Sequence, residues 1–113
     1  MTRDDFRRLA LGLPEATESA HQGSPDFRVR GKIFATFGLS DPNFAVVKLS
    51  PEDQEMRVST EPGVFEPITG TWGRRGWTKV NLPAADALTI RSALTAAWRT
   101  VAPKTLAATL PLP

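Results

Sequence analysis

The fold of this chain is decided at residues 27 to 37, which read FRVRGKIFATF. The stretch is rich in β-branched and aromatic residues, which favour strands, and it is interrupted once, at Arg30-Gly31. Glycine supplies the positive φ that a tight hairpin turn requires. The stretch therefore predicts two antiparallel strands joined by a turn at Arg30-Gly31.

Further strand signals lie on both sides of this hairpin. A short strand is predicted near residues 18 to 21, and a longer one at residues 44 to 49, where apolar residues alternate. Residues 64 to 68 allow another strand, weakened by Pro67. A last strand is predicted at residues 77 to 82, with Val80 and Leu82 facing inward and Trp77, Lys79 and Asn81 facing outward.

Three helices are predicted from capping residues and apolar spacing. The first begins at the N-cap Thr2 and ends before Pro14. The second begins at Ser50-Pro51, an N-cap followed by a proline at the first helical position, and extends to about Ser59. The third and longest covers about residues 84 to 101, and its predicted core face consists of Ala87, Ile90, Leu94, Ala97, Trp98 and Val101.

The order of these elements indicates the fold class. Strands joined by short turns form antiparallel sheets, and the helices cover one face. We therefore predict one α+β domain over residues 1–113, with an antiparallel sheet of four to five strands and helices packed on one side. Leu94, Trp98 and Val101 should be buried, and residues 69 to 76, with three glycines and two arginines, should form an exposed loop.

The composition excludes several classes of site. The chain has no cysteine, which removes disulfides, thiolate zinc sites, iron–sulfur clusters and cysteine nucleophiles, and which fits a reducing compartment. The first five residues contain two acids where a secretory signal has basic residues. No apolar run approaches the length that crosses a bilayer. The expected location is therefore cytoplasmic, without membrane contact.

Catalytic and metal-binding constellations are not apparent. A nucleophile needs a nearby base, and the chain has one histidine, His21. The acids at Asp4-Asp5 and at residues 52 to 55 stand at predicted helix starts, where capping and the helix dipole explain them. Glu15 and Glu18 could pair as general acid and base, although such pairs are common on polar segments. We expect no enzyme activity, no cofactor and no metal.

The sequence contains an ordered set of landmarks, which are Leu11-Gly12-Leu13-Pro14, Glu18, Gly23, Phe27-Arg28-Val29, Gly31-Lys32-Ile33-Phe34-Ala35, Lys48-Leu49, Pro51-Glu52, Gly76-Trp77 and Val80. In this order the landmarks resemble the MmcQ/YjbR family. The resemblance implies a small fold similar to the frataxin-like CyaY domain and to a double-wing domain, and members are often labelled DNA-binding by that analogy. The chain departs from the family pattern at Trp98, where tyrosine is expected in a core position.

A frataxin-like fold also suggests iron binding through an acidic first helix. On this helix, however, three arginines outnumber the two aspartates. Hard cations need concentrated oxygen ligands, so iron binding is not expected.

The distribution of charge favours binding of a polyanion by the C-terminal part of the chain. Residues 69 to 113 hold six basic residues and one acid, whereas residues 41 to 68 hold two and six. Within the basic part, residues 72 to 79 interleave arginine and lysine with tryptophan, which suits contact with phosphates and stacking on bases. The candidate nucleic-acid residues are Arg28, Arg30, Lys32, Trp72, Arg74, Arg75, Trp77 and Lys79.

The sequence leaves open how the basic residues are arranged and where Trp77 lies. Arg28, Arg30 and Lys32 share a face if residues 27 to 37 form one strand, but a turn at Arg30-Gly31 splits them. Trp77 could pack in the core, with the arginines only keeping the loop soluble. A different function would then be a module that binds a protein partner or a small acidic ligand in a cleft near His21 and Trp77.

Overall fold

The computed structural model describes residues 1–38 and 41–110. It has an α+β fold with one six-stranded sheet in the order β1-β2-β3-β4-β6-β5, in which all neighbouring strands are antiparallel. The elements are α1 (Arg3–Leu11), β1 (Thr17–His21), β2 (Ser24–Val29), β3 (Lys32–Phe37), β4 (Phe44–Lys48), α2 (Pro51–Thr60), β5 (Phe65–Pro67), α3 (Thr71–Arg74), β6 (Trp77–Asn81), a 3-10 helix (Leu82–Ala84), α4 (Ala87–Val101) and α5 (Lys104–Ala107).

The sheet has more strands than the four to five that we predicted. Both short segments, β1 and β5, join the sheet as its two edges, so the count rises to six. Pro67 is the last residue of β5. A residue without a backbone N–H is tolerated there because an edge strand has a neighbour on one side only.

The hairpin between β2 and β3 is confirmed. Arg30 and Gly31 have φ angles of 53° and 82°, as a two-residue type I′ turn requires. Gln22 and Gly23, with φ angles of 48° and 78°, connect β1 to β2 in the same way. The chain thus folds back twice within about twenty residues and builds half of the sheet from local turns.

The core lies between the sheet and the helices α1 and α4. Phe6 of α1 packs against Phe27 and Phe37, with ring centroids 6.1 and 5.5 Å apart. Leu94 and Trp98 of α4 are buried as predicted. Val101 is only half-buried, contrary to the prediction, because it is the last residue of the helix and its turn lies at the edge of the core.

Trp98 occupies the core position at which the family resemblance led us to expect tyrosine. Its side chain is fully buried, and its indole N–H donates a hydrogen bond of 2.9 Å to the carbonyl oxygen of Pro14. A buried indole needs such an acceptor, and this one also connects α4 to the segment after α1.

Residues 69 to 76 are mostly exposed, as predicted, but they do not form a loop throughout. Residues 71 to 74 form the short helix α3, and Gly73 within it is buried. The cause is a contact with α2, whose Gln54 side chain donates to the carbonyl oxygen of Gly73 at 2.9 Å. Among the described helices, none is long and apolar enough to cross a bilayer.

Candidate nucleic-acid and ligand interface on the sheet

The sheet face opposite α1 and α4, here named the open face, carries partly exposed polar and aromatic residues. Residues paired across antiparallel strands project to the same face. Ala35 and Val47 are such a pair on the inner face, and both are fully buried. On the open face, the pairing produces a row across all six strands, consisting of Ser19, Asp26, Thr36, Val46, Lys79 and Glu66.

A groove of about 950 Å³ crosses the open face. His21 lines it on β1, and Trp72 and Trp77 line it on α3 and β6. Because four strand spacings of about 4.8 Å separate β1 from β6, a flat sheet would hold the two ends roughly 19 Å apart. The structure therefore brings His21 and Trp77 into one groove, but only an elongated molecule contacts both.

We name the end of the groove at α3 and the start of β6 the Trp corner, and it consists of Trp72, Arg74, Arg75 and Trp77. The Trp72 side chain is 59% exposed and meets the Trp77 ring edge to face, with centroids 6.2 Å apart. The guanidinium carbon of Arg75 lies 5.8 Å from the centroid of the Trp72 ring. Trp77 is half-buried on the open face, so it lines the groove and does not belong to the core.

Three basic residues at this end of the groove have no carboxylate partner within the described chain. Arg74 and Arg75 are exposed, and neither they nor Lys79 take part in its ion pairs. The ammonium of Lys79 lies 3.9 Å from the centroid of the Phe44 ring, although Glu66 is its cross-strand neighbour. These cations are available to an anionic ligand.

The other three basic candidates do not join the Trp corner. Arg28 donates two hydrogen bonds, of 2.7 and 2.9 Å, to the carboxylate of Asp26, and Arg30 donates two, of 2.7 and 3.0 Å, to Glu15. Lys32 lies opposite Val29, which is buried on the helix side of the sheet. The turn at Arg30 and Gly31 therefore splits the three residues, and two of their charges are already neutralised by neighbouring acids.

Sequence reasoning named His21 as part of a ligand cleft but did not find Asp26, its partner at this end of the groove. The side chain of Asp26 is fully buried, and its carboxylate binds both Arg28 and His21 Nδ1, the latter at 2.8 Å. The hydrogen bonds from Arg28 hold the pKa of Asp26 below its ordinary value, and the bond from His21 lowers it further. The available signal was the spacing of Asp26 and Arg28, two residues apart on one strand and therefore on one face.

The acids that the sequence suggested as a capping pair or an acid–base pair have structural partners. Asp5 completes a capping box with Thr2 at the start of α1. Glu18 binds Arg7 at 2.9 Å, and Glu15 binds Arg30, so the two glutamates are not arranged as an acid–base pair. Residues 1–38 and 41–110 contain no group of three or more side chains that could hold a metal ion.

Comparisons with known proteins agree with this architecture. The chain is similar to the crystal structure of the Deinococcus radiodurans protein DR2400, which has a DUF419 domain, with a TM-score of 0.76 and 22% sequence identity over 99% of this chain and 89% of that chain. At this identity the similarity shows a shared fold. No curated protein matches. A model of the YjbR family matches residues 11–100, and the chain therefore belongs to the YjbR family.

Proposed function

We propose that this protein binds single-stranded nucleic acid at the Trp corner and along the adjoining groove, without catalysing a reaction. The observation that carries the proposal is the exposed ring of Trp72 beside Arg75, with Arg74 on the same short helix; neither arginine has a carboxylate partner in the described chain. An aromatic platform beside basic residues suits successive bases and their phosphates, and each stacked base contributes about 1–3 kcal/mol.

The shape of the site favours single strands over duplexes. Sequence readers of duplex DNA insert a helix into the major groove, whereas α3 has four residues, little more than one turn. The Trp rings could stack only on bases that are free of a partner strand. A single strand crossing the groove would also meet Lys79, which lines it beside Trp77.

The charges of the Trp corner and of the adjoining groove set the expected strength of binding. Arg74, Arg75 and Lys79 would neutralise about three phosphates, so log K should fall with log salt with a slope of about −2 for a single strand. Asp41 and Glu66 also line the groove and oppose a polyanion there. We therefore expect non-specific affinity, with a dissociation constant of order 10⁻⁴ to 10⁻⁶ M near physiological salt.

Charge-removal variants test this proposal. Replacing both Arg74 and Arg75 by alanine should make the salt slope for a labelled single-stranded oligonucleotide less steep by about 1.4 units, measured by fluorescence anisotropy. The matched control removes Arg91 and Lys104, two exposed basic residues on α4 and α5, outside the Trp corner. An equal effect of both double variants would show that only net charge matters and would contradict a site at the Trp corner.

A second candidate function follows from the groove itself. Because His21 and Trp77 line one groove, a small acidic ligand or a segment of a protein partner could lie across the open face. The groove volume of about 950 Å³ is at the upper end of the range typical of small-molecule sites.

We also propose a cytoplasmic location, because the chain has no cysteine and no apolar run long enough to cross a bilayer. A likeness to the CyaY and double-wing folds is proposed from the family resemblance of the sequence.

A further inference from the structure

The buried carboxylate of Asp26 fixes the state of the His21 ring. A carboxyl group whose pKa is lowered by Arg28 is ionised at neutral pH, and an ionised carboxylate only accepts hydrogen bonds. His21 Nδ1, 2.8 Å from Asp26 Oδ2, must therefore be the protonated nitrogen. In the neutral ring Nε2 then carries the lone pair, and it has no hydrogen-bond partner among the described residues.

This ring stands at the edge of the groove. The His21 side chain is 39% exposed and lines the groove together with Thr36, Phe44 and Val46. The hydroxyl of Thr36 already donates to the carbonyl oxygen of Pro25 at 2.7 Å. His21 Nε2 is therefore a hydrogen-bond acceptor at one end of a groove whose lining also includes the apolar side chains of Phe44 and Val46.

A cation lies across the sheet from this acceptor. The His21 ring on β1 leans toward Asp26 on β2, to which it is hydrogen-bonded, and the Lys79 ammonium on β6 lies against the Phe44 ring on β4. Two to three strand spacings of about 4.8 Å separate these positions, so the two polar groups lie roughly 10–15 Å apart across the sheet. The floor between them consists of Thr36 and Val46 on the open face. This spacing fits a flat molecule with a donor at one end and an anionic group at the other.

We propose that His21 is a ligand-binding residue, and that its Nε2 accepts a hydrogen bond from the hydroxyl of a small hydroxyaryl carboxylic acid whose carboxylate lies near Lys79. This inference deepens the second candidate function and rests on it. It does not require nucleic-acid binding at the Trp corner, although the two proposals share Lys79. Asp26 is a positioning residue, because it acts on the ligand only through the tautomer and orientation of His21.

The probes are 6-hydroxy-2-naphthoic acid and 6-methoxy-2-naphthoic acid, which share ring and carboxylate but differ in the hydroxyl donor. Binding is followed through their fluorescence. We expect the hydroxy acid to bind at least about fivefold more tightly, as the loss of one hydrogen bond implies. In His21→Phe, which keeps a ring but removes both nitrogens, the two probes should bind equally, and Lys79→Ala should weaken both.

The free protein offers a second readout that needs no variant. The chain contains one histidine, so the imidazole region of its ¹⁵N spectrum contains a single ring. Two-bond correlations at a pH where the ring is neutral should show protonated Nδ1 and unprotonated Nε2. The opposite tautomer would overturn the inference even if His21→Phe fails to fold.

The outcomes distinguish a failure of the role proposed for His21 from a failure of the second candidate function. If both probes bind the wild type with equal affinity, the groove takes acids but His21 does not bind them through Nε2, and the inference is wrong. If neither probe binds at millimolar concentration, the inference is wrong, and the small acidic ligand of the second candidate function loses its support as well. If only the hydroxy acid loses affinity in His21→Phe, both are supported.

Discussion

The side-chain nitrogen of Gln54, on α2, lies 2.9 Å from the carbonyl oxygen of Gly73 inside α3. The same nitrogen lies 3.2 Å from the carbonyl oxygen of Trp77 and 3.1 Å from the hydroxyl oxygen of Thr78. One buried amide group thus contacts both halves of the Trp corner, the short helix and the first residues of β6. The surface proposed to bind nucleic acid depends on a side chain that does not reach it.

Replacing Gln54 by leucine should destabilise the protein by about 1–3 kcal/mol, because buried acceptors lose their donor. Urea denaturation measures the change. Glu55→Ala, an exposed neighbour on the same helix, serves as the control and should stay within about 0.5 kcal/mol of the wild type. A Gln54→Leu variant as stable as the control would mean that the amide does not hold the corner in place.

Gly76, just before Trp77, should not tolerate a side chain. Its φ angle is +104°, and an added Cβ would clash with the carbonyl oxygen of Leu49. We expect Gly76→Ala to lower the free energy of unfolding by more than about 2 kcal/mol, from strain and overpacking together. Gly63→Ala is the matched control, since its Cβ would meet open space. Similar unfolding midpoints for the two variants would refute the close approach.

The acid sensitivity of the fold should depend on Asp26. Because the folded state lowers the pKa of this carboxyl, its contribution to stability is present above the unfolded value near 3.8 and is lost as the pH falls through the lower folded value. Asp26→Asn should therefore lose less stability than the wild type between pH 5 and about pH 2. Asp5, Glu15 and Asp86 also have lowered pKa values, so part of the decline should persist.

Urea midpoints at several pH values measure this difference. Glu66→Gln is the control, because the carboxylate of Glu66 makes no ion pair within the described residues, and it should follow the wild-type curve. A decline as steep in Asp26→Asn as in the wild type would contradict the role given to this carboxylate.

Local signals in the sequence predicted the parts of the fold that depend on few neighbours. The turn at Arg30 and Gly31 requires one glycine between two strand-forming runs, and α2 begins at its Ser50 N-cap as expected. Trp77 and Lys79 project to the open face because strand alternation fixes their direction. For this reason the position of Trp77 and Lys79 at the groove could be anticipated.

The parts of the structure that the sequence did not predict depend on contacts between residues that are far apart in the chain. The four-residue helix α3 has no side-chain cap hydrogen bond, and it is held by Gln54 from nineteen positions earlier in the chain. The charge of Arg30 is neutralised by Glu15 across fifteen positions. No local pattern contains such pairings, so counting basic residues overestimated the positive surface.

Trp72 can be replaced without a cost to the core, because its ring is mostly exposed. Trp72→Ala should therefore weaken single-stranded binding by about tenfold, as the loss of one stacked base implies, and should affect duplex binding less. Leu88→Ala, an exposed apolar residue on α4, is the control for folding and should bind like the wild type. Equal losses on both kinds of nucleic acid would indicate that the ring does not stack on bases.

The most direct test of the central proposal is an anisotropy titration of the wild-type protein with a labelled single-stranded oligonucleotide between 50 and about 300 mM salt. We expect a dissociation constant of order 10⁻⁴ to 10⁻⁶ M near physiological salt, tighter binding at 50 mM, and a logarithmic salt slope of about −2. Absence of measurable binding by the folded protein at 50 mM salt would contradict the nucleic-acid proposal.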